Sequence, residues 1–268
     1  MSRPLNPTMD RTALVASTAC FLLGFAHTMH ALGARVYRRS LLNFFATFGG
    51  FLLQTLWLYQ RGQAAGRCPL TTLFDVLVFL GWSVALIYMA TGATYRLSLL
   101  GALTSPLVFL LQASALLMPM PVLEKGLTPV NPWLEFHAAV SVVAYGAFAL
   151  AGIAGVMLLV QERQLKTHKL HSFFFHLPPI HDLATANRRL LYFGFALLTA
   201  GLLSGLKQGM AHVSLLRVVS ISIWLLYAFL CIALGVRRIA PSRASWLAIG
   251  AFAVLLLTVW TVQIVSKG

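Results

Sequence analysis

A histidine lies close to the first end of a long apolar segment. The segment, Asn131 to Arg163, reads NPWLEFHAAVSVVAYGAFALAGIAGVMLLVQER and contains His137 near its start. Ionisable groups in or near hydrocarbon are costly, so a partner, an ion or a cofactor is expected there. His212 follows a later apolar segment, and two neutral imidazoles that face each other can ligate a haem iron. The alternative is that each imidazole only hydrogen-bonds a neighbouring helix or a lipid headgroup.

Six more histidines fall into two groups. His27 and His30 are three positions apart in the first apolar segment, so they share one face of a helix. They form either a second ligand or transfer station, or an interfacial pair that bonds headgroups and neighbouring helices. The other four lie between the fifth and sixth apolar segments: His168, His171, His176 and His181. No cysteine or acid spacing completes a zinc site around them, which favours a solvated basic loop.

Asp75 is the acid set well inside an apolar segment, CPLTTLFDVLVFLGW. A carboxylate within a membrane is a functional candidate, with Arg67 or Arg61 as its local partner. Helix capping competes with this interpretation, because a carboxylate in the first turns complements the helix dipole. The sequence leaves both interpretations open.

The composition defines the class of protein. Hydrophobic residues make up 59% of the 268 residues, charged residues only 10%, and the mean hydropathy is +0.82. A soluble domain of this length could not bury so much apolar surface, so the chain is an integral membrane protein. The net charge of +14 does not indicate nucleic acid binding, because Lys and Arg fall between the apolar segments, where they set topology and meet anionic headgroups.

Eight segments are long and apolar enough to span a bilayer, which needs about 20 residues per helix. They are Thr12 to Ala34, Leu41 to Tyr59, Leu70 to Ala90, Leu97 to Met118, Trp133 to Val160, Leu190 to Leu206, Leu216 to Val236 and Trp246 to Val265. The apolar runs are continuous rather than alternating, so we predict an all-α, polytopic membrane helix bundle. No long repeat divides residues 1–268, and we expect a single membrane domain.

The basic residues predict the orientation. Twelve of the 20 Lys and Arg residues lie in the connections after the first, third, fifth and seventh segments. Because cytoplasmic connections are enriched in Lys and Arg, both termini are predicted outside, and His137 and His212 fall on the outer side. Small residues four apart predict close helix packing on the fifth segment, at Ala147, Ala151 and Gly155, and on the sixth, at Gly201 and Gly205.

Several stretches occur in the order found in a known family. They are GRCPLTTLFDVLVFLGW, NPWLEFHAAVSVVAYGAFALA followed by LLVQERQLK and LPPI, FGFALLTAGLLSG, and SRASWLAIGAFAVLLL, from about Gly66 onward. The chain resembles the cytochrome c assembly proteins of the CcsA/ResC type, and more closely their short HemX/YpjD-like members. The resemblance implies a haem-handling membrane protein in which His137 is an external iron ligand and the haem is held non-covalently.

The chain also departs from that family. Full-length members carry a tryptophan-rich W-W-D segment where this chain has KQGMAHVSLLR, from Lys207 to Arg217. The resemblance therefore implies that this chain does not attach haem covalently by itself. His212 would substitute for the usual second external histidine, and Gln54 stands where an intramembrane histidine is expected.

Taken together, these features predict a multi-pass protein of the bacterial cytoplasmic membrane. We expect it to bind or relay haem b and to support c-type cytochrome maturation, with other maturation proteins or an apocytochrome as partners, and not to be an enzyme on its own. The site candidates are His137 and, more weakly, His212 as iron ligands, with Asp75, His27 and His30 as further cofactor contacts and Arg67 or Lys207 for the haem propionates. The alternative is a regulatory or scaffold protein that controls a haem-biosynthesis enzyme or stabilises a membrane complex.

Overall fold

The computed structural model describes eight stretches of the chain, and each of them is dominated by one α-helix. The described residues are 7–33, 41–70, 72–95, 98–121, 131–167, 180–207, 215–236 and 239–265. The helices are α1 (Pro7–Gly33), α2 (Leu41–Ala65), α3 (Leu73–Tyr95), α4 (Ser98–Leu116), α5 (Pro132–Thr167), α6 (Ile180–Lys207), α7 (Leu215–Val236) and α8 (Pro241–Val265). No strand occurs in these stretches, which confirms the all-α prediction.

Seven helices of the described part are long and apolar enough to cross a membrane. The chain is therefore a multi-pass membrane protein, because a helix satisfies its backbone hydrogen bonds without water. The remaining helix, α4, carries a shorter apolar stretch from Leu103 to Leu116 and contains Pro106. Eight spans and external termini thus stay predictions.

Several helices extend beyond the apolar segments read from the sequence. α6 begins at Ile180 rather than at Leu190, α2 continues to Ala65, and α5 continues to Thr167. The added turns are polar, as in HDLATANRR at the start of α6. Hydropathy marks where a chain enters hydrocarbon, whereas a helix continues until its backbone is capped or broken.

The helices fall into two compact units, Met1–Asn131 and Pro132–Gly268. In the first unit α1 packs on α2 and α4, and α3 packs on α4 and α2. Buried polar side chains join these helices: Thr18 Oγ1 donates to Gln112 Oε1 at 2.9 Å, and Ser17 Oγ donates to the Gly50 carbonyl at 2.8 Å. Such bonds hold helices together where the surroundings offer polar groups no water.

In the second unit α5 and α6 form an antiparallel pair in a regular register. A Cβ added to three glycines on α6 would meet α5: Gly205 at His137, Gly201 at Ser141, and Gly194 at Phe148. At a fourth height, a Cβ added to Gly155 on α5 would meet Asn187 on α6. Each step of four or seven residues along α5 is matched by an equal step back along α6. This repeat is typical of helices that cross at a shallow angle. α8 also packs on α5, and α7 packs on α6 and α8.

Candidate functional site at the end of α5 and α6

His137 lies in the second turn of α5 and is held against the last turns of α6. Its Nδ1 is 2.7 Å from the carbonyl oxygen of Gly201. A carbonyl oxygen only accepts, so Nδ1 must carry the proton and donate it. In the neutral ring Nε2 then bears the lone pair that a metal needs. Nε2 has no hydrogen-bond partner among the described residues, and the side chain is half-buried.

Two glycines of α6 make room for this histidine. A Cβ on Gly205 would lie 2.8 Å from His137 Nδ1 and 3.2 Å from Cε1. A Cβ on Gly201 would lie 2.7 Å from Ser141 Oγ, one turn further along α5. The spacing of small residues predicts helix packing for both glycines, and the structure adds that Gly205 receives the imidazole ring. Ser204 Oγ also donates to the Gly201 carbonyl, at 2.7 Å, and so shares the acceptor of His137.

The surroundings of His137 are aromatic and basic. Trp133 and Phe136, near the start of α5, are 44% and 50% exposed. Nζ of Lys207, at the end of α6, lies 4.1 Å from the centre of the Trp133 ring, a distance typical of a cation–π contact. An imidazole whose Nε2 has no partner among the described residues can ligate iron. The exposed aromatic rings can pack on a flat macrocycle, and the ammonium group can pair with its carboxylates. The residues present therefore fit haem.

Five of the other histidine candidates are His212, His168, His171, His176 and His181. His212, His168, His171 and His176 lie outside the described residues. His181 opens α6, with a side chain that is 89% exposed and Nδ1 3.6 Å from Asp182 Oδ1. No group of three or more His, Cys, Asp or Glu residues in the described part could hold a metal ion.

His27 and His30 lie near the end of α1, in the first unit. His30 is exposed and His27 is half-buried, so the shared face that their spacing predicts looks partly outward. An exposed position agrees with the interfacial interpretation of the pair. Their part in cofactor binding stays a prediction.

Asp75 is paired with Arg61, one of the two partners expected from the sequence. Arg61 Nε donates to Asp75 Oδ1 at 2.7 Å, and both side chains are only 2% exposed. Thr72 caps the start of α3, because its Oγ1 accepts the Asp75 backbone N–H at 3.3 Å. The same hydroxyl donates to Asp75 Oδ2 at 2.8 Å. Asp75 also lies in the first turn of α3, so its carboxylate both pairs with Arg61 and complements the helix dipole.

The guanidinium of Arg61 is enclosed by further groups of the first unit. Its Nη2 donates to the Pro121 carbonyl at 3.3 Å, and its Cζ lies 5.3 Å from the Trp57 ring and 5.6 Å from the Phe74 ring. The pair bridges α2 and α3 across the turn at Gly66, whose φ of 66° is easily reached only without a side chain. Burial from water and contacts on several sides favour a structural role.

Gln54 stands where the family resemblance places an intramembrane histidine. It is fully buried, and its Nε2 donates to the Val78 carbonyl at 2.7 Å, which links α2 to α3. An amide nitrogen has no free lone pair and cannot ligate iron as an imidazole does. Gln54 therefore joins two helices and is not an equivalent of the expected ligand.

Comparisons with known proteins find relatives of this chain. The chain is 28% identical over 163 residues to the Cytochrome c biogenesis protein CcsA of Chlamydomonas reinhardtii, which covers 58% of this chain and 44% of that protein. It is 27% identical over 195 residues to the CcsA of Guillardia theta, with 63% and 64% covered. It is 25% identical over 158 residues to Protein HemX of Brevibacillus brevis, with 59% and 58% covered.

The chain thus spans about half to two thirds of the length of these relatives. A family model described as Cytochrome C assembly protein matches residues 70–268, which include α5, α6 and the His137 site. That match covers most of the chain and confirms the resemblance read from its motifs. The chain is a member of the Cytochrome C assembly protein family.

Proposed function

We propose that this protein binds haem b non-covalently through Nε2 of His137 and thereby supports c-type cytochrome maturation in the bacterial cytoplasmic membrane. The observation that carries the proposal is the bond from His137 Nδ1 to the Gly201 carbonyl. Histidines that ligate metals commonly donate their second ring N–H to a carbonyl, which fixes the tautomer and the ring orientation. Family membership supplies the biological setting.

The surrounding residues would supply the other contacts. Trp133 and Phe136 offer aromatic faces for packing, and Lys207 offers a cation for a propionate. Bound haem would supply an iron centre whose properties depend on its axial ligand. The protein's own contribution is to present one imidazole in a defined tautomer at a partly exposed end of a helix pair.

Absorbance spectra of the purified protein test the proposal. We expect ferric haem to give a Soret band typical of histidine ligation in the wild type, and His137→Ala to lose or strongly shift that band. Added imidazole should restore the band in His137→Ala, since it replaces the missing ligand without repairing a misfolded protein. His181→Ala, at an exposed histidine of the same unit, should leave the spectrum unchanged. Identical bands in the wild type and His137→Ala would exclude His137 as the ligand.

Lys207 gives a second, smaller prediction. Lys207→Met is expected to weaken haem binding by no more than about fivefold, because an exposed ion pair is screened by water. The position of the Soret band should stay the same, since the iron ligand is untouched. Haem titration of Lys207→Met beside Lys166→Met, another exposed lysine, measures the effect. An unchanged haem affinity in Lys207→Met would show that the Lys207 ammonium does not contribute to haem binding.

A further inference from the structure

A separate cavity lies between the start of α6, the end of α7 and the start of α8. Its volume is about 490 Å³, and its lining includes Asn187 and Arg188 from α6, Leu234 from α7, and Ser245 from α8. Arg188 and Gly205 are seventeen residues apart on α6, which corresponds to roughly 25 Å along a helix. The cavity is therefore distinct from the His137 site.

The charge of the cavity favours an anion. Arg188 lines it and makes no hydrogen bond or ion pair with a described residue. None of the described lining residues is acidic. The nearby acids have other partners: Asp182 faces His181 at 3.6 Å, and Glu162 accepts from Lys166 at 2.7 Å. A guanidinium without a carboxylate partner is suited to a phosphate group.

Asn187 adds an acceptor beside the arginine. It is only 3% exposed, and its Nδ2 donates to the Ala151 carbonyl on α5 at 2.7 Å. That bond fixes the orientation of the amide and leaves Oδ1 without a hydrogen-bond partner among the described residues. Oδ1 can accept a hydrogen bond from a hydroxyl or ammonium group. A ligand that satisfies Arg188 and Asn187 therefore carries an anion and a donor.

The rest of the lining combines polar side chains, those of His181, Thr185 and Ser245, with apolar ones. Leu234, Ile239 and Pro241 contribute hydrocarbon surface beside the polar groups. The cavity lies between helix ends of a membrane protein, where headgroups and acyl chains meet. We infer that it binds a phospholipid whose phosphate meets Arg188, whose headgroup hydroxyl or ammonium meets Asn187, and whose acyl chains lie along the apolar lining.

Native mass spectrometry of the full chain with added phosphatidylglycerol tests the inference. Arg188→Gln is expected to lower the fraction of lipid-bound protein at least about fivefold, since it removes a charge-assisted contact. Arg189→Gln removes the same charge one position away and should stay within about twofold of the wild type, because Arg189 does not line the cavity. Phosphatidylcholine, which keeps the phosphate but lacks a headgroup donor, should bind more weakly than phosphatidylglycerol.

Three results would overturn the inference. Equal lipid binding by Arg188→Gln and the wild type would show that Arg188 does not bind the lipid phosphate. Equal binding of phosphatidylcholine and phosphatidylglycerol would show that the lipid headgroup does not donate a hydrogen bond to Asn187. Displacement of the lipid by an equal concentration of inorganic phosphate would assign the cavity to free phosphate. Ala184→Leu, which fills the cavity with a larger apolar side chain, gives an independent check and should also lose the lipid.

Discussion

Asp75→Ala is expected to lower the free energy of unfolding of the first unit by about 3–5 kcal/mol, because it leaves the Arg61 guanidinium buried without its carboxylate. Both side chains of the pair are 2% exposed, and the N–O distance is 2.7 Å. In Asp75→Ala the Arg61 guanidinium would keep its contacts with the Pro121 carbonyl and the Trp57 and Phe74 rings. None of these three groups carries the negative charge that the carboxylate supplied. Denaturation of the purified protein in mixed micelles, followed by circular dichroism, measures the loss.

Replacing both partners should have a very different result. Arg61→Met combined with Asp75→Leu is expected to be neutral or to stabilise by up to about 4 kcal/mol, since no buried charge is left unpaired. An ion pair of the same N–O distance, Lys166 with Glu162, is the matched control, because its lysine is 73% exposed. Lys166→Ala should leave stability unchanged within error. Wild-type stability in Asp75→Ala would show that the pair does not hold α2 to α3.

The double variant also decides between two interpretations of Asp75. A carboxylate within a membrane segment is a site candidate by default, whereas its bonds to Arg61 and Thr72 describe a structural pair. If the double variant folds and keeps the Soret band of the wild type, the carboxylate serves helix packing. Loss of the band in the folded variant would assign Asp75 to haem binding.

The sequence predicted well which segments form helices, because the hydropathy of a segment depends only on its own residues. Each of the eight apolar segments overlaps one of the described helices, and the Asp75 partner was limited to two arginines by distance along the chain. Helix ends were less accurate, since the polar turns that open α6 and close α5 have no hydropathy signal. His30 and Asp75 were both site candidates, and the sequence could not show that His30 is exposed and Asp75 buried against Arg61, because burial and partners depend on neighbouring helices.

The environment of His137 could not be predicted from the sequence for the same reason. Gly201 and Gly205 gave a small-residue signal, which predicts close packing and does not identify the partner side chain. The register of α5 against α6 determines that Gly205 faces His137 rather than Ser141 or Phe148. One signal was available in retrospect: His137 and Ser141 have the same four-residue spacing as Gly201 and Gly205.

Gly205→Ala is the most selective test of that register. The added Cβ would lie 2.8 Å from His137 Nδ1, so the imidazole must move and its bond to the Gly201 carbonyl must weaken. Disturbing a group that orients a metal ligand typically lowers metal affinity by about 10- to 100-fold, and we expect a loss of this size in haem titrations. The Soret band that remains should be shifted.

The fold should survive this substitution, because the atoms that must move belong to the end of a side chain rather than to backbone. Gly250→Ala on α8 is the matched control: its Cβ would meet nothing within 4 Å, while the gain in helix propensity, about 1 kcal/mol, is the same. A difference in haem affinity between two equally folded variants therefore isolates the contact with the imidazole. Wild-type affinity in Gly205→Ala would mean that the orientation of His137 against α6 does not matter for haem, and the proposed ligand geometry would fail.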